Sequence, residues 1–252
     1  YSGQLLDVSD EDAKIVREAI WLRKQLSQLQ FKVSEEALGL FPDYNARVEL
    51  LTNIGYVNDG VLSLKGKIAS RINTCHELIL TEYLLTHGVH HLTPPQCASL
   101  ISCLVAGQSC GGSRDKTWSQ QLGEESVIHL KEVDEKLYTE VKKLTQILTD
   151  LVKQQQQHGI QIDPDKWVAE NFNSSLGCLV YKWAQGEDFV SVMRETEVME
   201  GNVVRVIMRL EELCQEIGRT AQVIGDTSII DKMQEVSAVL KRDIVFCGSL
   251  YV

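Results

Sequence analysis

The stretch from Met199 to Ile217, MEGNVVRVIMRLEELCQEI, decides the fold. At helical period Val203, Val206, Ile207, Leu210, Leu213, Cys214 and Ile217 line one apolar face, while Arg205, Arg209, Glu212 and Glu216 share the opposite side. This spacing predicts an amphipathic helix packed on a core, with two arginines one turn apart outside it. The ordinary reading of that pair is a solvated face, with Arg209 pairing to Glu212.

Outward from this helix the same period recurs. Just upstream, Asp188 to Arg194 reads as a short helix and Thr196 as the end of a turn, so the pair has the outline of a helix-turn-helix. Downstream, Gly225-Asp226-Thr227 stops one helix and caps the last, about Ser228 to Phe246. Leu176, Leu179, Val180 and Trp183 form a buried face closed by Gly186, and Asp163-Pro164 restarts helix before it. From about Glu124 to His158 one continuous helical pattern carries Val127, Leu130, Val133, Leu137, Val141, Leu144, Leu148 and Leu151. Ala106 to Lys116, AGQSCGGSRDK, reads as a loop. Thr93-Pro94-Pro95-Gln96 boxes a helix to about Val105, and Thr74 with Glu77 boxes another to about Leu85.

Nearer the start, Tyr56-Val57 and Val61 to Leu64 flank Asn58-Asp59-Gly60, the signature of a short β-hairpin. Asp43 to Ile54, closed by Gly55, supplies a helix before it, and together they give a winged-helix-like skeleton. Ser9 to Phe31 is a largely polar helix with a narrow stripe of Ile15, Ala19, Leu22, Leu26 and Leu29, fitting a stalk. The expected fold is therefore mainly α: a helical bundle with one small winged-helix-like element near its N-terminal end. The expected division is 1–40 stalk and linker, 41–72 winged-helix-like element, and 73–252 bundle.

The 252 residues carry a net charge of −10, so the whole-molecule field repels polyanions and any nucleic-acid contact must be local or borrowed from a basic neighbour. Seven cysteines (75, 97, 103, 110, 178, 214 and 247) include no C-x-x-C pair and sit mostly in apolar helical patterns, as reduced thiols of an intracellular protein do. No apolar run reaches the length of a membrane span. Because Tyr1 opens the chain, it is expected to be a piece of a longer polypeptide.

Two groups invite a chemical reading. Gly60 to Ile68, GVLSLKGKI, has the look of a phosphate-binding loop, but its spacing is one residue too long and Ile68 stands where a magnesium-holding Ser or Thr belongs. His87, His90 and His91 with Cys97 and Cys103 match no standard zinc frame. The chain shows no complete catalytic constellation, and no cofactor is expected within it.

An ordered set of strings goes further than periodicity. VYKWAQG (Val180 to Gly186), Glu200-Gly201 with Arg205 and Arg209-Leu210-Glu211-Glu212-Leu213, Val223-Ile224-Gly225 and the terminal RDIVFCGSLYV resemble the C-terminal (DSHCT) region of superkiller-like, exosome-associated DExH-box RNA helicases. GYV at Gly55, LKGKIA at Leu64, HELILTE at His76 and LISCLV at Leu100 keep the family order, so the likeness spans about Phe41 to Val252.

This resemblance implies a bundle that closes over the RNA exit path of two RecA-like motor domains. Its ratchet helix, about 199–217 here, would face translocating single-stranded RNA. Arg209 looks like the family's RNA-contacting arginine, and Arg205 is its neighbour one turn earlier. Gln108 stands near the place where the family has an acidic residue facing RNA, and can still hydrogen-bond a base or ribose. The stalk would be the returning helix of an arch insertion.

ATP and magnesium would belong to motor domains upstream of Tyr1, leaving this chain without ATPase activity of its own. The implied partners are single-stranded RNA, the motor domains, and the RNA exosome with its cofactor proteins, in the nucleus or cytoplasm and away from membranes. Two other readings stand beside this one: a helical protein-interaction domain packed on the motor domains or a cofactor, and a helix-turn-helix DNA-binding protein.

Overall fold

The computed structural model describes residues 10–33, 41–110, 117–242 and 245. It divides into two units, residues 1–47 and 48–252. In the first, α1 (Asp10–Lys32) is one long helix whose apolar residues Ile15, Leu22, Leu26 and Leu29 are exposed. Ser9, its expected cap, lies outside the described residues. α2 (Phe41–Asn53) starts two residues before Asp43, which accepts from Arg47 Nε at 2.8 Å inside the first turns.

The second unit begins at Val48, within α2, and continues into a hairpin. β1 (Val57–Asn58) and β2 (Val61–Leu62) are antiparallel, with Val57 opposite Leu62 and Asn58 opposite Val61. Asp59 and Gly60 both take positive φ (51° and 76°), the backbone that a tight two-residue hairpin turn requires. α3 (Leu64–Ala69) follows, capped by Ser63, whose Oγ accepts from Gly66 N at 3.1 Å.

These contacts also account for the phosphate-loop look of Gly60 to Ile68. Lys65 reaches Glu82 at 2.6 Å and the Ile54 carbonyl at 2.9 Å, and lies over the Tyr56 ring. A Cβ on Gly66 would sit 2.3 Å from the Tyr56 carbonyl oxygen, so the glycine is there to let α3 approach the backbone before β1. Gly66→Ala is expected to cost about 1–3 kcal/mol by overpacking, read as a lower urea midpoint at unchanged slope.

The bundle then runs α4 (Glu77–Thr86), α5 (Pro94–Cys110), α6 (Trp118–Gln121), α7 (Glu124–Val133), α8 (Glu135–Gln157), α9 (Pro164–Asn171), α10 (Gly177–Gln185), α11 (Phe189–Met193), α12 (Glu200–Ile224) and α13 (Thr227–Leu240). Among the described residues the hairpin is the only sheet, so the mainly α expectation holds. α5 runs through the centre, with Cys97, Ala98, Leu100, Ile101, Cys103, Leu104, Val105 and Ala106 all buried; α10, α12 and α13 pack around it. No helix of the described residues is long and apolar enough to cross a membrane.

Several boundaries differ from the sequence expectation for identifiable reasons. The helical pattern from Glu124 to His158 is two helices, because Asp134 is extended (φ −158°, ψ 113°) and its side chain caps the second by accepting from Leu137 N at 2.9 Å. Asp134 also accepts from Gln96 Nε2 at 2.7 Å and from the Tyr181 hydroxyl at 3.0 Å, which ties the break to α5 and α10. Residues 106–110, expected as loop, continue α5; residues 111–116 lie outside the described set. The last helix ends at Leu240 rather than Phe246, since Lys241 leaves helical backbone at ψ 84°; Phe246 itself lies outside the described residues. The Thr93/Gln96 box forms, at 2.9 and 3.4 Å. The Thr74/Glu77 box does not: α4 is preceded by His76, without a side-chain cap, and Thr74 is held in another way.

Candidate nucleic-acid interface

α12 is the longest helix of the bundle, and its apolar face is fully engaged. Val203, Val206, Ile207, Leu210, Leu213, Cys214 and Ile217 are at most 1% exposed, packed on α5 and α13. Seven such side chains, at about 1.5–3 kcal/mol each, fix the roll of the helix and hence which residues look outward. Gly225, left-handed at φ 79°, stops it seven residues beyond the expected Ile217. Glu211 is also buried; burial raises its carboxyl, but hydrogen bonds from Lys241, Gln215 and Ser237 outweigh this and hold it below the ordinary carboxylate range.

The two arginines of the sequence reading occupy different settings. Arg205 is exposed, and its Nη1 donates to Asn202 Oδ1 at 3.3 Å, one turn back. With Met208 (46% exposed) and Glu212 it forms the outward stripe of α12. Arg209 is half-buried, and its Nη2 donates to the Thr74 carbonyl at 2.7 Å. Two turns on, Glu216 Oε2 accepts from Asn73 N at 3.0 Å and Thr74 N at 3.1 Å.

Arg209 and Glu216 thus grip both sides of one backbone turn, donor to carbonyl and acceptor to amides. Thr74 is buried, and its peptide groups need partners that no helix supplies, so two side chains of α12 supply them. Gln108 lies in the last turn of α5, the helix packed against α12; its side chain is outside the described set. The structure therefore brings Arg205 and Arg209 onto one helix and places Gln108 on its neighbour.

Other titratable clusters are engaged within the fold. His90 meets Ser228 Oγ at 2.8 Å and Asp226 at 3.5 Å; His91 meets the buried Glu140 at 3.0 Å. Among the described residues no group of three or more His, Cys, Asp or Glu is arranged to hold a metal ion. Cys75, Cys97, Cys103 and Cys214 are buried free thiols, and Cys178 is half-buried. Burial pushes Cys97 and Cys103 up to about 12 and Cys178 up to about 11, so these are poor nucleophiles. Cys110 and Cys247 side chains lie outside the described residues. The Arg209–Glu216 grip was missing from the sequence reading; its only signal was the spacing that set both on the polar side of α12.

A helical bundle with a single hairpin among the described residues, built around one long amphipathic helix that presents an arginine and a methionine outward, places the chain in the mainly α class. The DSHCT (NUC185) domain family matches residues 59–247, and the chain belongs to that family. It is 33% identical over 244 residues to the DExH-box ATP-dependent RNA helicase DExH11 of Arabidopsis thaliana, covering 96% of this chain and 17% of that protein. It is 31% identical over 233 residues to the ATP-dependent RNA helicase mtr4 of Schizosaccharomyces pombe, with 92% of this chain and 19% of the relative covered. With Superkiller complex protein 2 of Homo sapiens it shares 32% over 237 residues, 94% of this chain and 18% of the relative. The chain spans less than a fifth of each of these relatives.

Proposed function

We propose that this chain is the RNA-guiding and scaffold domain of an ATP-dependent RNA helicase that threads RNA for exosome-mediated processing or decay. The carrying observation is the outward stripe of α12: Arg205 and Met208 stand exposed on a helix whose other face is locked into the core. An arginine beside an apolar side chain can stack on and hydrogen-bond unpaired bases, a contact that needs no basic domain and so suits a net charge of −10. In this reading residues 1–40 are the returning stalk of an arch insertion, 41–72 the winged-helix-like element and 73–252 the bundle. ATP and magnesium act in RecA-like motor domains outside this chain, and Gln108 is a further RNA contact from α5. The partners are single-stranded RNA, those motor domains, and the exosome with its cofactor proteins, in nucleus or cytoplasm.

One observation favours a second reading, a helical domain that packs on the motor domains or a cofactor without touching RNA. Arg209, the arginine singled out by family likeness, is directed at the Thr74 carbonyl inside the fold. Photocrosslinking of 4-thiouridine-substituted single-stranded RNA to the full-length helicase separates the two. Adducts are expected on residues 199–217, and Arg205→Ala is expected to cut unwinding by about 5- to 100-fold while RNA-free ATP hydrolysis stays unchanged. No adduct on α12, with unwinding intact in Arg205→Ala, would leave the second reading standing.

A further inference from the structure

The distribution of cations in the bundle unit, residues 48–252, is uneven in a way the net charge hides. Lys65, Lys142, Lys143, Lys166, Lys182, Lys232 and Lys241 pair with carboxylates. Lys136, Arg209 and Arg242 hold backbone carbonyls, Arg205 holds Asn202, Arg219 holds Gln215, and Lys131 lies over the Tyr138 ring. Among the described residues of this unit, the side chains left without such a partner are those of Lys67, Arg71, Lys153 and Arg194. Two of these four lie together, on α3 and the turn that follows it.

Their placement gives that pair a direction. Gly66, Ile68 and Ala69 turn inward and are buried, whereas Leu64 and Lys67 are exposed one turn apart on α3 and Arg71 is exposed in the turn just past its end. α3 packs against α12. Arg71 is three residues before Thr74, the residue whose carbonyl and amide are held by Arg209 and Glu216. The Lys67/Arg71 pair therefore leads onto the flank of α12 held by Arg209 and Glu216, and Arg205 stands one turn before Arg209 on the same helix. Acidic groups on this flank are Glu216, engaged by two backbone amides, Glu212, which faces outward, and Glu77, exposed in the first turn of α4, which with Glu216 and Arg209 surrounds Cys75.

We infer that Lys67 and Arg71 form a phosphate-contacting edge that extends the single-stranded RNA surface from α12 onto α3. This rests on the RNA reading of α12 given above and adds a division of labour to it. Arg205 and Met208 offer a guanidinium plane and an apolar surface to bases, while Lys67 and Arg71 offer point charges to the sugar-phosphate chain running beside them. An acidic domain needs only a short cationic edge for this, because each neutralised phosphate contributes through local counterion release.

The test is fluorescence anisotropy of a labelled single-stranded oligouridylate with the full-length helicase, titrated between about 50 and 300 mM salt, for wild type, Lys67→Gln/Arg71→Gln and Arg205→Ala. Loss of two phosphate contacts is expected to lower the magnitude of the salt slope by about 1.4 and to weaken binding roughly 10-fold at about 150 mM salt. Both positions are exposed, so the double variant is expected to melt with the wild type, and Lys67→Arg/Arg71→Lys should restore the slope. An unchanged slope in the double variant, with binding reduced in Arg205→Ala, overturns the inference and leaves the RNA reading of α12 intact. No effect in either variant overturns both. A double variant that binds RNA normally but loses a helicase-associated protein shows this edge to be a protein-docking surface instead.

Discussion

Trp183→Ala is expected to lower the melting temperature by roughly 6–20 °C, the largest stability loss of any single substitution argued for this chain. Trp183 is fully buried in α10, and its indole N–H donates to the Leu240 carbonyl at 3.2 Å. That carbonyl lies at the open end of α13, where no donor within the helix is left and the indole joins the Arg242 backbone N–H (3.1 Å) in satisfying it. One ring edge meets Phe189 at 6.0 Å in a T-shaped contact, and the Arg242 guanidinium covers a ring face at 3.8 Å. Arg242 in turn donates to the carbonyls of Trp183 and Glu187, closing the end of α10. Removing the ring opens a cavity of indole size, leaves the Leu240 carbonyl with the Arg242 backbone N–H (3.1 Å) as its remaining donor, and strips the Arg242 guanidinium of the surface it stacks on. A cost of about 3–5 kcal/mol follows from the cavity alone. Trp183→Phe keeps most of the stacking and loses the N–H donor, so it should fall between wild type and alanine. Thermal melting followed by circular dichroism checks both, and a shift under about 2 °C for alanine would contradict the latch.

How much of this was legible in the sequence depended on range. The α12 face, the Asp59-Gly60 hairpin and the Thr93/Gln96 box all follow from residues within a few positions of one another, and all stand where the spacing put them. The break at Asp134 was hidden because hydrophobic period continues in phase across it, and only the partners from α5 and α10 reveal why the chain bends there. α6, a single turn boxed by Thr117 and Gln120, is too short to carry a period.

The candidate site was legible as a helix and two arginines, but not as a division of work between them. Arg209 meets Thr74 across 135 residues, and Glu216 meets Asn73 across 143. No local pattern announces a side chain that will bond a backbone group so far away. The Thr74/Glu77 motif was misleading for the same reason, since the amide and carbonyl of Thr74 are taken by α12.

That difference makes Arg205 and Arg209 separable by experiment. Arg209→Ala and Glu216→Ala are each expected to destabilise the fold by about 1.5–3 kcal/mol, because each removes the charged partner of a buried backbone group. The two grip the same turn, so once either has released it the other has less to hold, and the double variant should lose less than the sum of the single ones by about 0.5 kcal/mol or more. Arg205→Ala, on an exposed face with one long bond to Asn202, should stay within about 0.5 kcal/mol of wild type. If RNA runs along α12, the functional ranking is different. Arg205→Ala loses unwinding with the fold intact, whereas Arg209→Ala loses unwinding together with melting temperature, and RNA-free ATP hydrolysis separates coupling from collapse of the domain. An Arg209→Ala variant that melts with the wild type and yet fails to unwind would show its guanidinium acting on RNA directly. The Thr74 carbonyl would then be only its resting partner, exchanged for a base or phosphate when RNA arrives.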